Sequence, residues 1–458
     1  MTSDILNNDT ICALATKAGG AIAIIRISGP QTLPITCSAC RGIDSTTTAN
    51  TIHFTRINNG KGEIIDEAMV SVFKAPHSYT GEDSAEIYCH GSSFIVREIL
   101  NLLVDKGCRM ANPGEYTMRA YLNGKMDLSQ AEAVADLIAS NNKATHQIAM
   151  SQMRGHFSSE LSALREKLLK LTSLLELELD FSDHEDLEFA DRKELLQLAQ
   201  TIDEHVSRLA HSFETGQAIK QGIPVAIIGK TNVGKSTLLN QLLKEERAIV
   251  SDIHGTTRDT VEDTIDIQGV TFRFIDTAGI RETQDTIEQI GINRTYQAIE
   301  KARIVLWMMD EKPSSEEIAD MTERSQGKSL IIVQNKIDLS SSAPICCDID
   351  TNIHMIPVSA KTGENMAKLE NAIYQAANIP IINDNDVIIT NVRHYNVLTH
   401  ALDSIHQVFA GLSSNLSGDL IAEDLKIVLA DLAEITGEGQ ITPQETLNNI
   451  FKHFCVGK

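Results

Sequence analysis

One stretch, VAIIGKTNVGKS at residues 225–236, constrains the fold of this chain more than any other. Its apolar start is typical of a buried strand, and its remainder matches G-x-x-x-x-G-K-[ST] at every fixed position. The residues that follow, TLLNQLL, favour a helix. Strand, glycine-rich loop and helix in this order predict a phosphate-binding loop, in which Lys235 binds the β- and γ-phosphates and Ser236 binds Mg²⁺. Strand and helix patterns alternate from 222 to 377, so this region is expected to be an α/β domain.

Two motifs that bind the metal and sense the γ-phosphate follow the phosphate-binding loop. HGTTRD at 254–259 predicts Thr257 as a second Mg²⁺ ligand. FRFIDTAG at 272–279 ends a predicted strand with Asp276 near the metal and its last glycine near the γ-phosphate. Their order is the one that a nucleotide-hydrolysing switch requires.

Two later motifs predict that the base is guanine. LIIVQNKID at 330–338 places Asp338 at a strand end, where its carboxylate can accept hydrogen bonds from guanine N1 and N2, and the residues at 359–361 would cap the base. Five motifs in order predict a guanine-nucleotide domain. The residues expected to contact GTP are Asn232, Val233, Gly234, Lys235, Ser236, Thr237, Ser251, Asp252, Ile253, His254, Gly255, Thr256, Thr257, Asp276, Thr277, Ala278, Gly279, Asn335, Lys336, Asp338, Ser359 and Ala360.

The position that orients the attacking water in Ras-type switches holds Ile280 instead of glutamine. An isoleucine side chain cannot orient water, so another group must do so. The segment after it offers Glu282, Asp285 and Glu288, although the residues alone favour a surface carboxylate for each of them over that role.

Length and charge limit the remaining possibilities. A chain of 458 residues is long enough for about three domains. Its formal charge of −22 means that RNA contact requires a local basic patch or a partner protein. No apolar run approaches the ~20 residues that span a bilayer, and the polar start MTSDILNND differs from a signal peptide. We therefore expect a cytoplasmic protein with no membrane partner.

Cysteine and acidic patterns give weaker indications. The eight cysteines are scattered and do not form a disulfide framework. Cys37 and Cys40 form a lone C-x-x-C, which favours packed thiols over a zinc or redox site. The acidic run at 183–191 lacks the central glycine and ligand spacing of a calcium loop, so a solvated helix junction is expected.

The rest of the chain divides into a mixed region and a helical one. AIAIIRIS (21–28), EAMVSVF (67–73) and SAEIYCH (84–90) predict strands, and SFIVREILNLLVDKG (93–107) predicts a helix that ends at glycine. These patterns predict an N-terminal α+β domain. From about 128 to 217, and again after 380, apolar residues recur at three- and four-residue spacing, as expected for bundle helices.

Motifs along the whole chain resemble the family of tRNA modification GTPases called MnmE or TrmE. The resemblance rests on GKTNVGKS, AIVSDIHGTTRD, IDTAGIRE, LAEITGE and the terminal FCVGK, and on the N-terminal RISGP, SYTGEDSAEIYCHG and NPGEYTMRAYLNGKMDLSQAEAVADLI. It implies an enzyme that works as a homodimer and in a heterotetramer with an FAD-containing protein of the MnmG or GidA type. That assembly adds an aminomethyl or carboxymethylaminomethyl group at C5 of the wobble uridine of certain tRNAs. The one-carbon unit comes from 5,10-methylene- or 5-formyl-tetrahydrofolate.

The resemblance also implies functional residues. Folate-binding positions of the family match Arg26, Glu86, Lys125 and Lys458. Cations suit the folate glutamate tail, and a carboxylate suits the donors of the pterin. Cys455 matches an essential thiol of unassigned chemical role, whereas without the family it would be interpreted as a packed thiol. Lys17 to Gly20 departs from the family's Gly-Arg-Gly-Gly, and no role is predicted for that loop.

Two GTPase features are implied in the same way. Potassium replaces an arginine finger in the family, and its ligands match Asn232, Ser251, Ile253 and Thr256. The family's water-positioning glutamate matches Glu288.

The expected fold is multidomain α/β with a Ras-like GTPase domain inserted into a helical domain. The expected boundaries are 1–123 for the folate-binding and dimerisation domain, 124–216 and 380–458 for the helical domain, and 217–379 for the GTPase domain. The main alternative is a GTP-dependent switch in ribosome assembly, which would leave Cys455 without a purpose.

Overall fold

The computed structural model describes most of the chain. The described residues are 9–17, 19–60, 62–180, 192–246, 263–275, 296–311, 313–339, 354–380, 382–383, 385–414, 416–437, 444–452 and 454–457. The chain divides into two compact units. Unit 1 comprises Met1–Ala139, Ala149–Ser207 and Asn396–Lys458, and unit 2 comprises Ser140–Ile148 and Arg208–Tyr395. Unit 2 therefore interrupts unit 1 in sequence.

Unit 1 contains a six-stranded mixed sheet in the order β3-β4-β5-β2-β1-β6. Neighbouring strands are antiparallel except for the parallel pair β1 and β6. The strands are β1 (Thr10–Leu14), β2 (Ile22–Ser28), β3 (Ile52–Asn58), β4 (Ile64–Phe73), β5 (Ser84–His90) and β6 (Cys108–Met110). Side chains alternate between faces along a strand. The buried residues Ala23, Ile25 and Ile27 of β2 pack in the core, so Ile24 and Arg26 point to the opposite face.

Helices cover the core face of this sheet. These are α1 (Thr32–Ala39) and α2 (Ser93–Asp105), and α2 turns Val96, Ile99 and Leu103 inward at helical spacing. A short helix, α3 (Glu115–Leu122), follows β6 and begins after Gly114, whose φ is 68°. Its Tyr116 side chain is fully buried.

The helical part of unit 1 is built from amphipathic helices. Leu161, Leu164, Leu168, Leu171 and Leu175 repeat every three or four residues along one buried stripe, and all are at most 2% exposed. That stripe lies on α6 (His156–Asp180), which packs against α12 (Gly418–Thr436). The helices that contribute residues to unit 1 after α3 are α4 (Leu128–Ala139), α5 (Lys143–Met153), α6 (His156–Asp180), α7 (Arg192–Gln221), α11 (Val392–Ser413), α12 (Gly418–Thr436) and α13 (Gln444–Phe451).

Unit 2 contains a second six-stranded sheet in the order β12-β11-β10-β7-β9-β8. All pairs are parallel except β8 and β9. Strand β10 (Ile304–Met309), in the middle of the sheet, has six buried side chains in a row, as expected when helices cover both faces of a parallel sheet. The elements are β7 (Ile223–Ile228), α8 (Lys235–Glu246), β8 (Asp263–Ile267), β9 (Val270–Ile275), β10 (Ile304–Met309), α9 (Ser315–Arg324), β11 (Ser329–Gln334), β12 (His354–Pro357) and α10 (Met366–Ala376).

The predicted fold class is confirmed: the molecule is multidomain α/β, with helices and two mixed sheets. Each strand and helix named in the N-terminal region by its pattern is present, with ends shifted by at most three residues, as in EAMVSVF, which belongs to Ile64–Phe73. The acidic run at 183–191 lies outside the described residues. Among the helices that the structure describes, none is long and apolar enough to cross a membrane.

Candidate functional site

The phosphate-binding loop lies where a strand ends and a helix begins in unit 2. β7 ends at Ile228, and α8 begins at Lys235. Gly229 has a φ of 149°, and a Cβ added there would collide with the Met308 carbonyl oxygen of the neighbouring strand. Gly234 has a φ of 97°, and its Cβ would collide with the Asn335 side-chain amide. Only glycine fits at these two positions, because both the backbone conformation and the space exclude a side chain.

The lysine of the loop lies against the loop's own backbone. Lys235 Nζ donates to the carbonyl oxygens of Gly229 at 2.5 Å and Lys230 at 2.8 Å. Burial lowers the pKa of the Lys235 ammonium, because desolvation disfavours the charged form. An anionic phosphate would restore favourable electrostatics for this cation.

Asn335 connects the phosphate-binding loop to the predicted base-recognition loop. Its side chain is 5% exposed. Its Nδ2 donates to Val233 O at 2.7 Å, and its Oδ1 accepts from the Ala360 N–H at 3.0 Å. Ser359 Oγ donates to Asp338 Oδ1 at 2.7 Å and so orients the carboxylate predicted to bind guanine. The structure thus brings the motifs at 229–236, 335–338 and 359–361 together at one end of the sheet.

Two acidic residues near this loop are absent from the sequence-based site. Glu317 accepts from Lys230 Nζ at 2.8 Å, and Asp310 accepts from Lys336 Nζ at 2.7 Å. The sequence does carry a signal for Glu317, because Ser314 and Glu317 fit the S-x-x-E capping box that starts α9, and both capping hydrogen bonds are present. A contact between that capping residue and the phosphate-binding loop is not encoded in the pattern.

Several predicted GTP-site positions lie outside the described residues. They are Ser251, Asp252, Ile253, His254, Gly255, Thr256, Thr257, Asp276, Thr277, Ala278, Gly279 and Glu288. Asn232 is described, and its φ of 64° places it in the left-handed region that asparagine tolerates. Of the residues predicted to hold potassium, this is the one that the structure describes; of those predicted to bind magnesium, it describes Ser236.

A second polar cluster lies in unit 1, on the face of the sheet opposite its helix-covered core. Arg26 Nε and Nη2 both donate to Glu86 Oε1, at 2.9 and 2.8 Å, across the β2–β5 register. Glu86 Oε2 accepts from the Tyr88 hydroxyl at 2.8 Å. The pair is mostly buried, with side chains 18% and 17% exposed. Such a shielded, charge-assisted pair is stronger than a surface ion pair.

Two tyrosines complete this cluster, and sequence patterns identified neither. The Arg26 guanidinium carbon is 5.4 Å from the Tyr79 ring centre and 5.6 Å from that of Tyr116, within the range of cation–π attraction. The Tyr116 hydroxyl donates to Arg26 O at 2.8 Å. The Tyr79 hydroxyl and Thr117 Oγ1 are 2.9 Å apart. Because Tyr79 and Tyr116 come from different elements, no local spacing could have indicated them.

The C-terminal tail, defined here as residues 454–457, reaches the same cluster. Arg26 Nη1 donates to Gly457 O at 3.2 Å, and the Gly114 N–H donates to Cys455 O at 3.3 Å. Cys455 is an exposed free cysteine. Lys125 Nζ donates to Pro76 O at 3.0 Å, and Lys458 lies outside the described residues. The structure therefore joins Arg26, Glu86 and the Cys455 segment.

The C-x-x-C pair has the character of packed thiols. Cys40 is buried and Cys37 half-buried, and both are free. Burial raises the pKa of the Cys40 thiol to about 12, which leaves it protonated and unreactive near neutral pH. Among the described residues, no group of three or more His, Cys, Asp or Glu could hold a metal ion.

The strand–loop–helix unit and the predicted base-recognition loop together indicate the class of GTP-binding α/β proteins. Comparison with known proteins narrows the class. The family model described as the MnmE helical domain matches residues 128–455, and the model described as the GTP-binding protein TrmE N-terminus matches residues 10–125. The tRNA modification GTPase MnmE of Phocaeicola vulgatus is 54% identical over 498 residues, covering 99% of this chain and 100% of the relative. Its counterpart in Bacteroides thetaiotaomicron is 55% identical over 469 residues with the same coverage.

The chain belongs to the MnmE family of tRNA modification GTPases. The expected family and enzyme class, a GTP hydrolase acting in tRNA modification, are thereby confirmed. Among solved structures, the G domain of the T. maritima FeoB iron transporter is 23% identical and covers 34% of this chain and 98% of its own, with a TM-score of 0.24, which is too low to add to the fold assignment.

Proposed function

We propose that this GTPase acts with an FAD-containing partner to add an aminomethyl or carboxymethylaminomethyl group at C5 of the wobble uridine of certain tRNAs, using a tetrahydrofolate one-carbon unit. The observation that carries the proposal is the contact of the C-terminal tail with the Arg26–Glu86 pair. Residues that sequence resemblance associates with folate and with an essential thiol are drawn from opposite ends of the chain into one cluster. A pure GTP-dependent switch would have no need of it.

The chemistry of the cluster suits a folate. Glu86 offers carboxylate oxygens to the amide and amine donors of a pterin, and Arg26, which donates twice to Glu86 Oε1, holds that carboxylate in place. The tyrosine rings beside Arg26 restrict the motion of its guanidinium, so little ordering remains for the ligand to impose. Lys125 and Lys458 would add positive charge for the glutamate tail. When bound, the folate would supply the one-carbon unit.

Nucleotide hydrolysis would depend on groups around the phosphate-binding loop. Lys235 would bind the β- and γ-phosphates, and Ser236 and Thr257 would hold Mg²⁺. Asn232, at the tip of the loop in a left-handed conformation, would hold K⁺ together with Ser251, Ile253 and Thr256. Glu288 would orient the attacking water. Ras-type switches use a glutamine for this purpose, at the position where this chain has Ile280.

The proposed organisation follows the same resemblance. We assign 1–123 to folate binding and dimerisation, 124–216 and 380–458 to the helical domain, and 217–379 to the GTPase domain. The working form would be a homodimer that joins the FAD-containing protein in a heterotetramer in the cytoplasm.

Mass analysis of tRNA nucleosides tests this function. Cells that lack the protein should lose the C5-modified wobble uridines, and the wild-type chain should restore them. Arg26→Ala should fail to restore them, whereas Arg56→Ala should succeed, because the Arg56–Glu67 pair is half-exposed and lies on β3 and β4, which β5 separates from the strand of Arg26. Unchanged nucleosides in the deletion strain would rule out the proposed reaction.

Titration of the full-length chain with 5-formyltetrahydrofolate tests the ligand. Glu86→Gln should weaken binding by about tenfold or more, since it removes a charged acceptor from a shielded site. Glu67→Gln, which alters an exposed acceptor on the neighbouring strand, is the matched control. Equal affinities for the two variants would show that the folate does not bind at Glu86.

A further inference from the structure

The tail approaches the N-terminal sheet at a place where a side chain would not fit. Gly457 has a φ of 92°, and a Cβ added to it would lie 2.5 Å from Leu14 O and 2.8 Å from Ala15 Cα. Both are backbone atoms of β1 or of the residue after it, so they cannot rotate out of the way. Contacts this short exceed what packing tolerates without backbone movement.

A second glycine, Gly114, lies in close contact with the tail and the residues just before it. Gly114 precedes α3 with a φ of 68°, and its Cβ would lie 2.9 Å from Phe451 O and 3.0 Å from both Phe451 Cβ and Phe454 Cβ. Its N–H donates to Cys455 O. The rings of Phe451 and Phe454 pack 5.0 Å apart beside it. The chain on either side of Cys455 is therefore fitted closely to two backbone surfaces.

The backbone contacts of the tail limit how far the Cys455 thiol can lie from the Arg26 cluster. Gly457 O is 3.2 Å from Arg26 Nη1, and two residues of extended chain span at most about 7 Å, so Cys455 must lie near the Arg26–Glu86 pair while the tail is docked. Cys455 itself is exposed, whereas Cys12, Cys40, Cys89 and Cys108 are buried. The segment is thus held by its backbone while its thiol remains accessible.

We propose that Gly457 and Gly114 are positioning residues: because neither carries a side chain, the tail docks against the sheet and α3 and holds the Cys455 thiol at the Arg26–Glu86 site. This inference rests on the proposed function, in which that thiol takes part in tRNA modification. It assigns to the two glycines a role in turnover that acts through the position of the tail, because neither contributes a side chain to the folate-binding groups.

The test compares Gly457→Ala and Gly114→Ala with Gly42→Ala. Gly42 has a φ of 85°, and a Cβ added to it meets no atom within 4 Å, so the control carries the same backbone strain without the collision. In tRNA modification reconstituted with the FAD-containing partner, the first two variants should lower turnover by about tenfold or more, since small misplacements of a reacting group are costly. GTP hydrolysis, which depends on the phosphate-binding loop of unit 2, should stay at the wild-type rate.

A second measurement follows docking without folate or tRNA. Carboxypeptidase Y should trim the tail of Gly457→Ala about fivefold faster than that of the wild type, because cleavage follows the population of the undocked state. Phe454→Ala loosens the same segment without adding an atom and should behave similarly, with Phe454→Leu restoring protection. This pair keeps the test valid if a glycine variant folds poorly.

The outcomes separate the two proposals. Faster trimming with unchanged modification turnover would overturn the positioning role, as would equal effects of Gly42→Ala and Gly457→Ala. If the wild-type chain bound no folate but Gly457→Ala still freed the tail and lowered modification turnover, the folate part of the proposed function would fail and the positioning role would stand.

Discussion

The two polar sites of this molecule are built in opposite ways. The phosphate-binding loop takes its shape from a continuous run of residues between β7 and α8, and its lysine binds carbonyls of the same loop. The Arg26 cluster takes one residue from each of several strands and loops and a carbonyl from 431 residues further along the chain. A site formed by local backbone geometry can be recognised from a sequence motif. A site formed by tertiary packing depends on every element that positions its residues, so no single motif reveals it.

The largest expected effect is a loss of stability in unit 1, which tests how far the Arg26 cluster depends on the residues packed around it. Arg119, 4% exposed, donates to Asp9, Glu82 and Glu115 and so ties α3 to the start of β1. Arg119→Met removes the buried guanidinium that these three carboxylates share and should destabilise unit 1 by about 3 to 5 kcal/mol. Arg56→Met, which breaks a half-exposed pair, should cost less than about 1 kcal/mol.

Hydrogen exchange of unit 1 peptides in urea would measure this loss. Trp307, the single tryptophan, lies in β10 of unit 2, so its fluorescence reports the other unit. GTP affinity should stay within about twofold of wild type, because sites that share no partners are close to independent. A large loss of GTP affinity in Arg119→Met would break the contrast between the two sites.

The second effect is a loss of GTP affinity at the nucleotide site, which should leave the Arg26 cluster unaltered. Asp338→Asn replaces a charged acceptor with an amide that presents a donor to guanine donors, and should cost about 2 to 5 kcal/mol of GTP binding. Calorimetric titration with GTP measures it. A nucleotide whose base carries a carbonyl in place of the guanine C2 amino group should regain affinity for the variant, and folate binding should be unchanged. Unaltered GTP affinity would remove 335–338 from the site.

Catalysis should separate from binding at Glu288, a position predicted from sequence alone. Glu288→Ala should leave GTP affinity nearly intact and lower turnover by roughly 10²-fold, as expected for a lost water-orienting group. Glu282→Ala and Asp285→Ala should have much smaller effects. Phosphate release assayed in potassium decides the matter, and a wild-type rate in Glu288→Ala would make it a surface carboxylate.

The smallest effect concerns the monovalent cation. GTP hydrolysis should be several-fold faster in potassium than in sodium, because a cation at Asn232 would offset charge that develops on the phosphates. Asn232→Gly retains the left-handed backbone and removes the amide oxygen, so the ratio of the two rates should fall towards one. Equal rates for the wild type in both salts would exclude a potassium site.

The elements around the phosphate-binding loop were predictable because their signals are local. The run at Val225 to Ile228 predicts a strand, and the strand observed is Ile223–Ile228. The helix begins at Lys235, two residues before the predicted start, because the motif's lysine and serine already belong to its first turn. In unit 1, β1, β3 and β6 were not predicted. β1 is a short run of five residues and β6 has three, and β3 is an edge strand that leaves Ile52 and Phe54 exposed, so none of them has a clear alternation.

The Arg26 cluster was predictable only in part. Resemblance supplied Arg26, Glu86 and Cys455, and the structure brings them together. Tyr79, Tyr116 and Gly114 have no motif of their own, and their contribution depends on tertiary contacts that no periodicity encodes. Lys125 was also supplied by resemblance; its ammonium donates to Pro76 O, and its part in folate binding stays a prediction.

The hydrogen bond from Arg26 to Gly457 also sets an order of events during protein synthesis. Arg26 leaves the ribosome early, and at about 5 to 20 residues per second its partner follows some 20 to 90 seconds later. Once the residues up to the end of α8 have been made, the phosphate-binding loop can form, while the cluster at Arg26 still lacks the tail. A chain released before residue 454 would therefore keep the phosphate-binding loop and lose Cys455, so the proposed function predicts that it would hydrolyse GTP without supporting tRNA modification.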